Sequence, residues 1–432
     1  MEAAVPNASA APMTAIERAV VEKFRVRILV PIVVLIVLSS LDRVNLSFAA
    51  LQMNADLGLS SKAYGWAVGA FFVAYLLFQF PSTALLRRIG ARRWIAACVI
   101  TWGVAATAMA FVRTPSELYA MRFMLGVAEA GFAPGIVYYC SGWMPLRHRA
   151  NTIAITMLAV PISVIIGGPL CGWLMAAANP LALAGWRWMM LVEGLLTVLF
   201  GLAAYLLFVD GAAQARWLRA EEREWIDAQM ARENTAPPPR RPLSEALNDA
   251  RCWLAAGVWC STLIGSTGLI FWLPQIVKEL SGLGPLAVGV VSAVPWVGLA
   301  VGMWFNSRHS DATQERYLHV GAPMALCAFA LLGASWLPPG WLALGLLFLS
   351  GVGLGAGQGV FWSIPTTFLH RAAAAAGITL INLVGNLGSL AGPVVIGWIR
   401  SHTSAVAAPS WFVAIVMGLG AAFLVALHAR RR

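Results

Sequence analysis

The stretch Leu38-Ser39-Ser40-Leu41-Asp42-Arg43-Val44-Asn45-Leu46-Ser47 sets an anion beside a cation in the middle of an otherwise apolar run, residues 28–48. A run of about twenty apolar residues is what a helix needs to cross a bilayer. An ionised side chain near the centre of such a helix costs roughly 2.5–3.5 kcal/mol on insertion scales. Asp42 and Arg43 are therefore predicted to face a bundle interior or an aqueous cavity.

The surrounding chain supports a membrane reading. Of 432 residues, 59% are hydrophobic and 11% charged, with a mean hydropathy of +0.75, which excludes a soluble protein of two or three domains. The apolar segments are continuous rather than short and alternating, which argues against a barrel. Twelve are predicted: near 28–48, 65–86, 94–112, 117–140, 152–175 and 188–209, then 253–275, 286–307, 317–337, 341–364, 374–399 and 409–428. The long polar stretch between the two sets, 210–252, holds an amphipathic pattern from Trp217 to Ile226 and a linker at Pro237-Pro238-Pro239. The expected organisation is an all-α integral membrane protein of twelve transmembrane helices in two pseudo-symmetric six-helix halves. It divides into an N-terminal segment 1–27, a first bundle 28–209, a linker 210–252, a second bundle 253–428 and a basic tail 429–432.

The net charge of +11 raises the question of nucleic acid, and the placement of the basic residues answers it. They gather in one set of loops: Arg18 to Arg27, Arg87 to Arg93, Arg147 and Arg149, the arginines from Arg216 to Arg251, then Arg308, Arg316, Arg371 and Arg430 to Arg432. The opposite set carries only Lys62, Arg113, Arg187, Lys278 and Arg400. By the positive-inside rule both termini are expected in the cytoplasm, and the charge reads as topology. Six cysteines without CxxC spacing predict neither a disulfide framework nor a metal site. Residues 1–27 lack the features of a signal peptide, so the first span is expected to be an uncleaved anchor.

Two short charged turns occupy corresponding places in the halves, Leu85-Leu86-Arg87-Arg88-Ile89-Gly90-Ala91-Arg92-Arg93 and Ser310-Asp311-Ala312-Thr313-Gln314-Glu315-Arg316. They resemble the loops of the major facilitator superfamily, with Arg87 where that family usually has an acid and Thr83 for its first glycine. Arg87, Arg88, Gly90, Arg92, Asp311 and Arg316 are assigned a structural or gating role, with simple positive-inside anchoring as the alternative.

Span four reads Arg122-Phe123-Met124-Leu125-Gly126-Val127-Ala128-Glu129-Ala130-Gly131-Phe132-Ala133-Pro134-Gly135. Arg122 and Glu129, seven apart, share one helical face. Gly126, Gly131 and Gly135 permit close helix approach, and Pro134 is expected to free a carbonyl to line a cavity. An acid so deep in a bundle is a natural site for reversible protonation. The alternative is a structural cluster in which Asp42, Arg43, Arg122 and Glu129 neutralise one another. The second half offers uncharged groups instead: Gln358 and Ser363 in span ten, Asn382 and Asn386 one turn apart in span eleven. These suit recognition of hydroxyls or carboxylates, or alternatively act as interhelical glue.

Leu41 to Asn45, Gly126 to Phe132, Gly167-Gly168-Pro169 with Gly172-Trp173, Phe361 to Pro365 and Gly377 to Gly388 together resemble the anion:cation symporter branch of that superfamily. So does the Arg216-Trp217-Leu218 and Glu221-Glu222 stretch. The resemblance covers nearly the whole chain. It implies a secondary active transporter of a bacterial-type inner membrane that takes up a hexonate, tartrate-like or aromatic carboxylate with H+, without a cofactor. By position, Asp42 and Glu129 resemble the proton-coupled carboxylates and Arg43 the cation that meets the substrate. Tyr75, Ser363 and Asn386 resemble lining residues. A tyrosine common in that branch is replaced at Ser39-Ser40, which points to a pocket altered for a different acid.

Trp272 with Pro274 reads as an interfacial tryptophan, with an outer gate as the alternative, and Trp186-Arg187-Trp188 reads as an interfacial belt. Glu193 is expected to pair with Arg187. His309, His319, His370 and His428 fall at span ends. The alternative function is a proton-antiporting exporter of an organic anion or lipophilic compound. An enzyme is not expected, since there is no nucleotide loop, metal-ligand cluster or partnered nucleophile. One chain holds a whole site between its halves, so a monomer in the lipid bilayer, with no nucleic-acid partner, is expected.

Overall fold

The computed structural model describes residues 13–233, 243–369 and 371–430, and among these the chain is built from helices alone. Thr14 starts the first of them: its hydroxyl accepts from Glu17 N at 3.2 Å while the Glu17 carboxylate accepts from Thr14 N at 3.3 Å. This reciprocal cap satisfies two amides that the first turn leaves without partners. The helix it opens, α1 (Ala15–Phe24), passes through a π turn at Arg25–Leu29 into α2 (Val30–Asp56). The polypeptide continues as α3 (Ser61–Ile89), α4 (Ala91–Met109), α5 (Pro115–Glu129), α6 (Phe132–Ser141), α7 (Leu146–Ala176) and α8 (Gly185–Leu207). Ser60 caps α3, and Thr114 followed by Pro115 opens α5. Two short helices, α9 (Ala220–Glu233) and α10 (Leu243–Asn248), lie in the polar middle of the chain. The second half contains α11 (Ala250–Ser281), α12 (Pro285–Thr313), α13 (Leu318–Trp336), α14 (Trp341–Phe361), α15 (Pro365–Phe368), α16 (Arg371–His402) and α17 (Ala408–Ala429).

Eleven helical stretches among the described residues are long and apolar enough to cross a membrane. The twelfth crossing is α4, packed on α8 and α5 and diluted in hydropathy by Arg92 and Arg93 in its first turn. The helices overrun their apolar runs at both ends, so the first crossing reaches Asp56 rather than position 48. Of the polar middle, the amphipathic pattern becomes helical only from Ala220. Trp217 precedes α9 and stacks on Trp143, ring centroids 5.6 Å apart. The triple proline, and the ends of the expected terminal segments, lie outside the described residues.

Lys23 of α1 ties this middle segment to the first half, its Nζ donating to both Glu222 oxygens at 2.8 and 2.7 Å. Burial opposes ionisation of Glu222, but these bonds and one from Arg219 N outweigh it and hold the carboxyl below its ordinary value of 4.5. A depressed acid stabilises the fold above its unfolded value, and the contribution is lost as the pH falls through the folded one. Acidification below about 4.5 is therefore expected to loosen α9 from α1, with roughly two- to fivefold faster proteolysis near Ala220–Glu233. Glu222→Gln should reproduce this at neutral pH, and equal cleavage rates in both proteins would refute the latch.

Because successive crossings alternate in direction, the helix ends that carry Arg27, Arg88, Arg92, Arg316 and Arg430 fall on one side, hereafter the basic face. The first half packs α4 on α8, α3 on α5 and α2 on α7; the second packs α12 on α14, α13 on α14 and α17, and α11 on α16 and α17. The halves meet along α7–α12, α3–α16 and α2–α11. Away from the basic face these contacts are intimate. The backbones of Gly168 and Gly289 touch directly, a Cβ on Gly168 falling 2.7 Å from Gly289 O. Tyr64 donates to Phe271 O at 3.0 Å, and Asn54 donates to Gln275 Oε1 at 3.2 Å. Trp272 is buried in this seam, edge-on to Tyr64 and donating to Pro393 O at 3.3 Å. The interfacial reading of Trp272 is thereby corrected: its indole closes the joint between halves, because Gly65 and Gly397 let α3 and α16 approach beside it. Trp186 is likewise no belt residue; it is fully buried and its Nε1 donates to Asp56 Oδ2 at 2.7 Å.

Candidate functional site

Arg43 lies about 20 Å along α2 from its start, close to mid-crossing. Its guanidinium grips Glu129 of α5: Nη2 and Nε donate to the same oxygen, Oε2, at 2.8 and 3.1 Å. Ser39, one turn earlier on α2, adds its hydroxyl to that oxygen at 3.2 Å. The partners differ in access, since the Glu129 side chain is completely buried whereas 35% of the Arg43 side chain is exposed. Aromatic faces flank the cation, with the rings of Phe71 and Tyr75 centred 5.6 and 5.7 Å from it. The other carboxylate oxygen, Oε1, is buried without a hydrogen-bond partner.

Glu129 owes its position to a break in the crossing. A proline at 134 supplies no amide to the carbonyl four residues back and its ring crowds that carbonyl, so the helix stops at Glu129 and restarts at Phe132. The expectation that the break lines a cavity is corrected, because Trp94 of α4 fills it. Its Nε1 donates to Gly131 O at 3.0 Å, and its ring lies where a Cβ on Gly131 would stand. Only an unsubstituted backbone admits the indole there.

Arg122 does not join the Arg43–Glu129 pair as the shared helical face predicts. It is fully buried two turns earlier on the same helix and turned toward α3, its Nε donating to Ala67 O at 3.4 Å and its guanidinium 4.9 Å from the Phe71 ring. Neither terminal nitrogen has a hydrogen-bond partner. Phe71 thus lies between two arginines, which keeps the cations apart.

Asp42 points away from Arg43 because adjacent residues on a helix project about 100° apart. It accepts from Asn45 Nδ2 at 3.3 Å and Thr197 Oγ1 at 3.4 Å and is buried to 1% exposure. Near it on α8 lies Glu193. The expected Glu193–Arg187 pair does not form: Arg187 donates to Ala110 O at 2.7 Å and covers Trp186, facing the end of α4. Glu193 is buried and accepts from Cys171 Sγ at 3.4 Å.

Across the halves, α3 packs on α16 with Gly65 against Pro393 and Gly69 against Val394 and Leu390. Asn386 folds its amide back to Asn382 O at 2.9 Å and Asn382 Oδ1 at 3.3 Å, so the two act as one unit. Ser363 sits in the turn that ends α14 and donates to Val360 O at 2.7 Å. Sequence reasoning missed Trp259 of α11, which stacks on Phe361 at 5.0 Å and packs against Gly385. Its Nε1 and the Nε2 of Gln358, one turn before Phe361, are buried donors without partners. The signal that could have found it is Gly385 itself, a gap in α16 beside the two asparagines.

The charged turns are fixed structurally. Gly90 adopts φ +88, which favours glycine, and Arg92 N donates to Asp210 at 2.9 Å while its guanidinium covers Tyr205. Asp311 pairs with Arg316 at 2.6 Å within its own turn. Arg87 and Arg88 are exposed on the basic face.

Comparison with known proteins agrees with this architecture. Residues 32–393 match the model of the Major Facilitator Superfamily. A protein of Agrobacterium vitis named "Putative tartrate transporter" is 43% identical over 400 residues, 92% of each chain. A "Quinolone resistance transporter" of Acinetobacter baumannii is 36% identical over 96% of each chain. A bacterial homologue of the human lysosomal transporter Spinster, solved inward-facing and occupied, superposes with a TM-score of 0.75 at 17% identity, covering 94% of this chain and 96% of that one.

Proposed function

This chain belongs to the Major Facilitator Superfamily, and we propose on that premise that it takes up a small organic anion together with H+ by alternating access. The observation that carries the reading is the Arg43–Glu129 pair, in which an accessible cation is held by a buried acid. Protonation of Glu129 dissolves the pair and frees the guanidinium, whose planar fork matches a substrate carboxylate. The anion then replaces the acid on the cation. An empty carrier turns over with Arg43 closed on Glu129, and a loaded one with Arg43 closed on substrate, so the cation never crosses unpaired.

Asp42 is the second coupled carboxylate. Tyr75, Ser363, Gln358, Asn382 and Asn386 are the proposed neutral contacts to the remainder of the anion, joined by Trp259. Arg122, the Arg87–Arg92 turn and the Asp311–Arg316 turn hold the helices that rock. The placement proposed is a bacterial-type inner membrane with the basic face and both termini cytoplasmic, which the loop charges support. On that placement, the seam closed on the opposite face corresponds to an inward-facing conformation, and one chain is the proposed working unit.

Similarity to relatives named for tartrate supports a tartrate-like or other small carboxylate. One observation favours a second reading, proton-driven export: the relative named for quinolone resistance. Proteoliposomes with an internal pH dye, challenged with tartrate, sugar acids and aromatic acids, separate them. Internal acidification by one acid establishes uptake with protons. No response to the panel, with alkalinisation of acid-loaded vesicles by lipophilic compounds, replaces uptake with export.

A further inference from the structure

Three carboxyl groups, those of Asp42, Glu129 and Glu193, are buried within the crossings of the first half, and among the described residues only Glu129 is held by a cation. Asp42 and Glu193 lie together between α2, α7 and α8, with Trp102 of α4 beside Asp42 and Glu129 within electrostatic reach of it. The titratable groups facing Glu193 are Asp42 from α2 and Cys171 from α7. From α4, Thr107 packs against the neighbouring Gly194 and is uncharged. Asn45 lies next to both acids. One N–H of its Nδ2 goes to Asp42 and the other faces Glu193, while its Oδ1 and Glu193 Oε2 are buried without a partner. These orphaned oxygens are both acceptors and cannot bond each other. A hydrogen on Glu193 Oε2 supplies the missing donor and removes one of two negative charges that no ion pair neutralises.

We propose that Glu193, bridged to Asp42 by Asn45, is a proton-binding residue of the transport cycle, distinct from Glu129. The step is an O–H bond made on the uptake side and broken at the basic face, with no other bond changed. The inference rests on the uptake reading for its direction but not for the proton itself.

Its location joins the site to the moving seam. Leu41, next to Asp42, packs on Gly167 of α7, and the following Gly168 meets Gly289 across the halves. Cys171, which donates to Glu193, is one helical turn beyond Gly167 on the same helix. A proton gained or lost at Glu193 therefore acts on the helix that bears Arg43 and on one that touches the second half.

The test has a substrate-free arm and a transport arm, both on the full chain in lipid. Infrared difference spectra on acidification should show a protonated-carboxyl band that is lost in Glu193→Gln, kept in Glu129→Gln and regained, shifted, in Glu193→Asp. A band set unchanged by Glu193→Gln overturns the proposal. In vesicles, with whichever acid of the panel drives protons, the proton-to-anion ratio from reversal voltages should fall by one in Glu193→Gln. Accumulation then drops roughly tenfold per unit of pH gradient. An unchanged ratio, or a wild-type ratio of one, overturns it even where a variant fails to fold. If no acid drives protons but lipophilic compounds do, the uptake reading fails, and the same loss of one proton is read on that flux.

Discussion

Arg43→Ala is expected to abolish anion binding. The guanidinium is the accessible member of a pair whose other member is wholly buried, and it stands beside Tyr75 with Ser39 completing the hold on Glu129. Removing one partner of such a hydrogen-bonded pair costs about 2–5 kcal/mol, roughly thirty- to several-thousand-fold in affinity. The deleted side chain is also the only proposed full charge opposite the anion, so nothing compensates. Arg43→Lys keeps the charge but loses the fork that reaches Oε2 through both Nε and Nη2, and it should bind with intermediate affinity. Titration calorimetry with the transported acid checks both variants. Wild-type affinity in Arg43→Ala would remove Arg43 from the site.

Glu129→Gln should separate exchange from net uptake. The neutral amide of that variant leaves Arg43 free for substrate at any pH, so anion-for-anion exchange proceeds with the cation always occupied. The empty carrier has lost its counter-ion, and carrying an unpaired guanidinium through the closed state costs about 3–5 kcal/mol. Net uptake is expected to slow by roughly a hundredfold or more while counterflow stays near normal. Normal net accumulation by the variant would sink the proposed role of Glu129. Glu193→Gln differs in kind, since it leaves Arg43 and Glu129 paired and alters only how many protons accompany each cycle.

The crossings and the polar middle were legible because lipid imposes a length and a composition on every span. Asp42, Arg43 and Glu129 stood out for the same reason: a charge inside an apolar run is costly unless used. What side chains do once packed was less legible. Spacing puts Arg122 and Glu129 on one face, yet Phe71 lies beside Arg122 and Arg43, and spacing along one helix is blind to a ring from another. Glu193 and Arg187 are near in sequence, but Arg187 is spent on the carbonyl of Ala110. Ser39 entered the site through the one-turn rule on α2, legible once Arg43 was taken as a fixed point. Trp272 was ambiguous because an interfacial and a seam tryptophan have the same local sequence; only the partner helix, α16, distinguishes them.

The described hydrogen bonds that cross the seam between the halves are uncharged. They join an amide to an amide and a phenol to a carbonyl, the seam's packing is glycine backbone and aromatic rings, and none of the described ion pairs crosses it. Dissolved electrolyte screens charges and leaves such contacts untouched. On the proposed placement, the rate at which this face parts and recloses is therefore expected to be insensitive to ionic strength, while the encounter with the anion is not.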